Sequence, residues 1–293
     1  MLKNIFAGIF IGIANIIPGI SGGTIIVILG IFDELMFSIS NLIKKDNPQR
    51  KKQIIFLSQI IFGLLIGLIS FANIIDYLFK NYPTQTIYGF IGLILFSIPF
   101  VIKKELPNTT WFKIPFTKRK NNLSVPFLII GSLIIIILML LNKNVNDNLN
   151  IVFPTITILY LIKLFFVGNI IGSATIIPGI SGAMILLILG QYHIYKGYIL
   201  ELLTFKLNIL IPLCFIGIGI IMGIVIGAKI VTWSLNKYRK ETISLIIGLI
   251  IMSSLALFPL DINYNVSITV SSIICFLLGG TLITIIERLN KTK

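Results

Sequence analysis

Asn15-Ile16-Ile17-Pro18-Gly19-Ile20-Ser21-Gly22-Gly23-Thr24 recurs later in the chain as Thr175-Ile176-Ile177-Pro178-Gly179-Ile180-Ser181-Gly182-Ala183-Met184. At an offset of 160, residues 12–30 and 172–190 agree at 13 of 19 positions. Each copy interrupts an apolar run. Proline lacks the amide donor and clashes with the preceding turn, and glycine is free to take positive φ, so Pro-Gly followed by Ser-Gly cannot continue an ordinary helix. Each copy therefore predicts two half-helices joined by a polar break inside a membrane, with the rest of the chain placing the two breaks opposite each other.

Composition sets the surroundings. Of 293 residues, 56% are hydrophobic and only 12% charged, and the mean hydropathy is +1.02. A soluble core of this size does not need that much apolar surface, whereas a polytopic membrane protein does. The formal net charge of +14 comes from short loops between apolar runs, not from a basic face interleaved with aromatics. That pattern fits positively charged cytoplasmic loops and gives no reason to expect nucleic acid as a partner. Cys214 and Cys275 both fall inside apolar spans and read as buried, inert thiols, not as a disulfide. Lys3 followed by an apolar run faintly resembles a signal peptide. The run passes into the repeated phrase without a small-x-small cleavage site, so it is expected to remain as structure.

Taken in order, the first repeat covers residues 1–146: a re-entrant hairpin at 4–42 and spans at 54–79, 84–102 and 125–141. Residues 4–17 are too short to cross a bilayer core of ~30 Å, which takes about 20 helical residues, and a second half-helix is expected from about Thr24 to Leu42. The second repeat covers 147–293: a hairpin at 163–200, entering the break over 163–177, and spans at 209–233, 243–258 and 268–286. The likeness extends past the phrase. Gly63, Gly67, Ala72, Tyr82, Thr86 and Gly92 match Gly219, Gly223, Ala228, Tyr238, Thr242 and Gly248 at a constant offset of 156. Glycines four residues apart, Gly63 with Gly67 and Gly219 with Gly223, predict close helix approach.

Charge sets the orientation. Residues 44–52 carry five positive charges, while the counterpart near 200–208 has Lys206 offset by Glu201. The turn at Lys80 has one, against Lys237, Arg239 and Lys240; the loop 103–122 has six, against Asp261 alone near 259–266. The basic member changes half in every pair, so matching segments are expected on opposite sides of the membrane. The expected fold is an all-α polytopic membrane protein, an inverted-topology repeat forming a single membrane domain, each half a re-entrant helical hairpin plus three transmembrane helices. Both termini are expected to be cytoplasmic, in agreement with Arg288, Lys291 and Lys293.

Broken helices at a repeat interface point to a transporter binding site, because irregular backbone at that depth must be buried in protein or line a cavity. The chemistry on offer is anion binding: a half-helix starting after Ser21-Gly22-Gly23 or Ser181-Gly182 presents unpaired amides and the positive end of its dipole. The substrate-binding set is Asn15, Pro18, Gly19, Ser21, Gly22, Gly23, Thr24, Thr175, Pro178, Gly179, Ser181 and Gly182. For any single hydroxyl, capping its own helix is the competing role. Asp33, Asp76 and His193 are the candidates for proton or sodium coupling; Asp33 and His193 occupy matching positions, and Asp76 lies near a span end, where an interfacial role competes. Lys163 maps onto Lys3 and is expected to snorkel at the outer interface; Lys229, like Asp76, lies near the end of its span, where an interfacial place competes with lining a polar route or carrying a coupling proton. One histidine and ten acids, scattered mostly over loops, assemble no metal cluster, activated nucleophile or carboxylate pair, so neither an enzyme nor a cofactor is expected.

The doubled Pro-Gly-Ile-Ser-Gly phrase, each copy followed by a short apolar run and Gly30 or Gly190, resembles the bacterial PopT-type polyprenyl-phosphate transporters over essentially the whole chain. Phe32 stands where that family commonly has Tyr, and Ala183-Met184 replace a more polar pair, departures that bear on a hydroxyl at 183. The resemblance implies a flippase in the bacterial cell membrane that returns undecaprenyl phosphate from the outer to the cytoplasmic leaflet for cell-wall and surface-glycan synthesis. The anionic head would meet the breaks while the apolar tail stayed in lipid. Two alternatives remain at this stage: a secondary transporter of another small anion, with a closed aqueous route, and a membrane enzyme acting on a lipid phosphate. Residue patterns leave association into a homo-oligomer open.

Overall fold

The computed structural model describes residues 2–16, 21–105, 123–143, 153–192, 194–195, 197–198, 207–259, 262 and 264–291. Pro18, Gly19, His193, the basic loop 106–122 and the 146/147 repeat boundary lie outside these residues. Among the described residues the named elements are eleven α-helices: α1 (Leu2–Ile16), α2 (Gly22–Ile28), α3 (Phe32–Asn41), α4 (Arg50–Asn81), α5 (Pro83–Glu105), α6 (Val125–Lys143), α7 (Ile158–Thr175), α8 (Gly182–Ile188), α9 (Leu207–Lys237), α10 (Arg239–Ala256) and α11 (Val266–Lys291). Six of them, α4, α5, α6, α7, α9 and α11, contain stretches long and apolar enough to cross a membrane.

Local sequence explains where the elements stop. At the end of α2, Gly30 takes φ 65°, its N–H donates to Val27 O and the Ile31 N–H reaches Ile26 O, a Schellman stop built on a left-handed glycine. Gly190 repeats it after α8 at φ 64°, with bonds from Gly190 N to Leu187 O and from Gln191 N to Leu186 O. The second half-helix expected from about Thr24 to Leu42 is therefore not continuous. It is two helices, α2 and α3, bent by 117° at Gly30. Tyr82 and Tyr238 end α4 and α9 in nearly the same conformation (φ −137°, ψ 52° and φ −132°, ψ 51°). Thr86 and Thr242 then donate back to the Tyr82 and Tyr238 carbonyls at 2.7 and 2.8 Å. The tyrosine–threonine match at offset 156 thus encodes one repeated corner.

Two further differences concern the spans. Helix α7 starts at Ile158, ahead of the expected 163, with Thr157 accepting the Tyr160 N–H at 3.2 Å. Its 18 residues extend for about 27 Å, close to the thickness of a bilayer core, so α7 is longer than the short entering half expected there. Helix α10 covers the expected span 243–258 as far as Ala256 and begins four residues ahead of it, with Arg239, Lys240 and Glu241 in its first turn. Cys214 and Cys275 are both free, but neither is buried as expected: Cys214 is exposed on the outward side of α9 and Cys275 is half-buried on α11.

Helices pair through glycine. In α1 against α4, a Cβ added to Gly8, Gly12, Gly63 or Gly67 would strike the backbone of Ile60, Leu64, Ile5 or Ile9. In α7 against α9 the same holds for Gly168, Gly172, Gly219 and Gly223 against Ile216, Ile220, Phe165 and Asn169. Every member of the second set is the first shifted by 160 or 156. Residue numbers rise together across both contacts, so α1 runs parallel to α4 and α7 parallel to α9. The other two main pairs exchange halves: Gly92 meets Phe276 and Gly279 meets Gly89 between α5 and α11, while Gly248 meets Leu128 and Gly131 meets Leu245 between α10 and α6. Those pairs are parallel as well, since Gln85 with Ser271 and Phe96 with Gly280, and Ser124 with Ser244 and Ser132 with Gly248, rise together in number. The last span of each half thus lies on the other half, and neither half packs as a separate body.

Polar contacts fix the ends of the bundle. Asn47 ties the Asn41 carbonyl to Gln53 at the start of α4, and Thr232 near the end of α9 bonds Ser40 at 3.3 Å. The start of α4 and the end of α9 therefore share one end, which also carries Arg50, Lys51, Lys52, Lys237, Arg239 and Lys240. At the opposite end, Gln85 of α5 bonds Ser271 of α11 at 3.0 Å, and Tyr88 meets Tyr264. The largest apolar cluster lies between these ends, with Met36, Ile247 and Ile250 almost fully buried in it.

Candidate substrate site where the two repeated phrases meet

The start of α2 is built as an N-cap. Ser21 is extended (φ −92°, ψ 131°) and its Oγ accepts the Gly23 N–H at 3.2 Å, satisfying one of the bare amides of the first turn. The same hydroxyl donates at 3.5 Å to the carbonyl of Ile177, inside the second copy of the phrase. Thr24, 2% exposed, accepts the Gly179 N–H on its Oγ1 at 3.0 Å. Gly23 lies so close that a Cβ there would come within 3.1 Å of Ile176 O. Thus the two phrases, read as separate breaks, touch each other directly.

Glycine is required here for two different reasons. Gly179 has φ +83° and its Cβ would lie 2.8 Å from Leu249 O, so both conformation and space exclude a side chain. Gly22 faces Asn15, where a Cβ would sit 2.6 Å from Asn15 Oδ1. Gly182 repeats that relation with Thr175, at 3.0 Å from its Cγ2.

Of the expected binding residues, Ser21, Gly23 and Thr24 meet the second copy at Ile177, Ile176 and Gly179, whereas Gly22 lies beside Asn15 and Gly182 beside Thr175, each within its own copy. Ser181 has the same backbone as Ser21 but makes no side-chain cap bond, and it is half-buried. Asn15 and Thr175, at matching positions, are exposed, as is Ala183. The Thr175 hydroxyl is occupied, donating to Ile171 O at 2.7 Å and Gly172 O at 3.0 Å in its own helix. Its expected service as a side-chain donor is therefore met by the competing role, that of satisfying its own backbone.

Residues 11–285 match the undecaprenyl phosphate translocase-like family. The chain belongs to that family. It is 31% identical over 279 residues to the polyprenyl-phosphate transporter of Staphylococcus aureus, covering 94% of this chain and 92% of that protein. It is 29% identical over 260 residues to the polyprenyl-phosphate transporter of Vibrio cholerae, covering 85% of this chain and 75% of that one. No solved structure matches. The resemblance carried by the doubled phrase is borne out.

The expected coupling carboxylates of this family member lie away from the contact between the phrases. Asp76 pairs with Lys80 at 2.7 Å on an exposed stretch of α4, consistent with an interfacial place. Asp33, in the first turn of α3, pairs through Oδ2 with Arg239 Nη2 at 2.6 Å, while its Oδ1 is buried without a hydrogen-bond partner. That ion pair joins the first half to the start of α10 in the second. Arg239 entered the sequence reading only as a loop charge, since nothing along the chain pairs it with a residue 206 positions away.

Beside the phrases lies a cavity of about 400 Å³, with Ile177 and Pro178 in its wall. Phe32, Phe127, Ile230 and Val231 supply most of the remaining apolar surface, and Ser234, Tyr238, Glu241 and Thr242 stand at the basic end. Of these, the sequence singled out Pro178 in the repeated phrase, Phe32 through the family resemblance, and Tyr238 and Thr242 through the repeat at offset 156, the last two without a role.

Proposed function

We propose that this membrane protein is a translocase of undecaprenyl phosphate, returning the carrier from the outer to the cytoplasmic leaflet of the bacterial plasma membrane for cell-envelope glycan synthesis. The observation that carries the reading is the bond from the Gly179 N–H to Thr24 Oγ1. It places a backbone donor and a hydroxyl, one from each phrase, side by side in a buried position. A phosphate oxygen is a stronger acceptor than a neutral hydroxyl, because charge-assisted hydrogen bonds are roughly twice as strong as neutral ones. An arriving headgroup therefore takes the Gly179 N–H and releases the Thr24 hydroxyl to donate to a second phosphate oxygen. Ser21, Ser181 and the amides at the start of α2 and α8 complete the cradle, with Asn15 and Thr175 at its open side.

The chain is an inverted-topology repeat in this proposal, with α1 entering from the basic, cytoplasmic end and α7 from the opposite one. Support comes from the parallel pairs α1–α4 and α7–α9, together with the shared end of the α4 start and the α9 finish. Two helices of opposite origin that meet at one contact suit alternating access, in which either leaflet reaches the same headgroup site. The names of both relatives specify a polyprenyl phosphate. Asp33, Asp76 and His193 remain the candidates for carrying a proton or sodium ion.

The deciding experiment is transport of labelled undecaprenyl phosphate in proteoliposomes, with and without proton or sodium gradients. Leaflet exchange above protein-free vesicles supports the proposal. No exchange under any gradient, or dephosphorylated lipid among the products, overturns it.

A further inference from the structure

Resting on that reading, we infer that the cavity beside Pro178 is the subsite for the isoprenoid units next to the phosphate, so the protein reads that part of the chain and not its full length. Its volume of about 400 Å³ falls in the range of small-molecule sites, ~300–1,000 Å³. The wall is carbon almost throughout at the level of Ile177 and Pro178. The next residue, Gly179, offers its N–H to Thr24. A chain esterified to a phosphate held at Gly179 must leave the site past Pro178, and the cavity starts there.

The exposed residues of its lining are Phe127 on α6, Ile230 on α9 and Tyr238 just past the end of α9, which sets the mouth of the cavity between α6 and α9. Phe127 is 37% exposed and Ile230 59% exposed, on helices whose outward faces are apolar. Both lie in the basic-end half of the bundle, Phe127 near the start of α6 and Ile230 in the last turns of α9. Hydrocarbon can pass sideways there without the head leaving protein. The mouth opens toward one leaflet, so this conformation exchanges lipid with the basic-end leaflet. A single branched chain suits the space; a glycerophospholipid would have to bring two acyl chains and a glycerol through the same opening. Tethering to the bound head makes entry of the first isoprene units intramolecular, which favours them over bulk lipid at equal chemistry. The remaining units lie in the bilayer, outside the cavity, and add little discrimination.

The test uses the full chain in nanodiscs and a polyprenyl phosphate bearing a diazirine on the isoprene unit next to the phosphate. After irradiation, adducts are expected on Phe127, Val231 or Leu245, suppressed by unlabelled polyprenyl phosphate and not by phosphatidylglycerol. Ile230→Trp, at the exposed mouth, and Val231→Phe, in the wall, are each expected to lower the adduct yield by about tenfold, the effect of losing roughly two buried methylene groups. Thermal unfolding of Ile230→Trp should match wild type, since that side chain faces outward. Competable adducts confined to other helix faces, equal suppression by phosphatidylglycerol, or full yield in both variants overturns the subsite and leaves lipid-phosphate binding standing. No competable adduct anywhere overturns the lipid-phosphate reading and the subsite together.

Discussion

The Oγ1 of Thr24 accepts the backbone N–H of Gly179 at 3.0 Å, across 155 residues of chain and between two copies of one phrase. Both partners are buried, so neither has water to fall back on. Replacing the hydroxyl by a methyl group leaves the Gly179 donor unsatisfied, a loss of about 1–3 kcal/mol. Thr24→Val is expected to unfold at a lower temperature in detergent and to transport poorly, and Thr24→Ser to keep most of both. Equal unfolding temperatures for Thr24→Val and wild type would count against the bond.

Gly179 and Gly217 make a controlled pair. At Gly179 the backbone is left-handed and the Leu249 carbonyl blocks a Cβ; at Gly217 nothing lies within 4 Å of one. Gly179→Ala is expected to destabilise by more than the ~1–2 kcal/mol that the left-handed conformation alone costs an L-residue. Gly217→Ala, inside α9, is expected to be neutral or mildly stabilising through helix propensity. Thermal unfolding of the two purified variants separates them, and similar shifts would contradict the assignment of strain to the break.

Substitution by a bulky side chain at the start of α2 is expected to end lipid-phosphate transport. Gly22→Trp must displace Asn15, and Ser21→Trp removes both the cap on Gly23 and the link to Ile177. Membrane insertion depends on the apolar spans and should persist. Quantifying membrane-inserted protein alongside labelled-lipid exchange checks this; inserted protein with unaltered exchange would move the headgroup site elsewhere.

The Asp33–Arg239 pair calls for a double-mutant cycle. Its side chains are 42% and 44% exposed, so the direct coupling energy is expected at ~0.2–1 kcal/mol and smaller at high salt. Asp33→Asn, Arg239→Gln and the double variant, compared by thermal unfolding at low and high ionic strength, give that value. A coupling of several kcal/mol would show that the pair is desolvated and holds the two halves together.

Orientation is testable without transport. Single cysteines at Lys52 and Lys240 should label from one side of the membrane and one at Tyr264 from the other, because the contacts of Ser40 with Thr232 and of Gln85 with Ser271 put them at opposite ends. Labelling of all three from one side would dissolve the inverted arrangement.

Much of this was legible along the chain because it is local or periodic. Apolar runs marked the helices, Pro-Gly marked the breaks, glycines four apart marked the close pairs, and a doubled pattern at offsets of 160 and 156 marked two related halves. The boundaries went wrong where a short-range device overrode the run: the glycine stop at Gly30 split one expected half-helix, and Thr157 started α7 early. What no single stretch could reveal is partnership. That Thr24 takes the N–H of Gly179, that Asp33 finds Arg239, that α5 lies on α11 and α6 on α10, and that a cavity opens beside Pro178 all depend on which faces the folded helices bring together. Propensity and hydropathy act over a few residues, and they set what each segment becomes. Distant hydrogen bonds and close packing exist only once the segments share a space, so the site belongs to the tertiary structure.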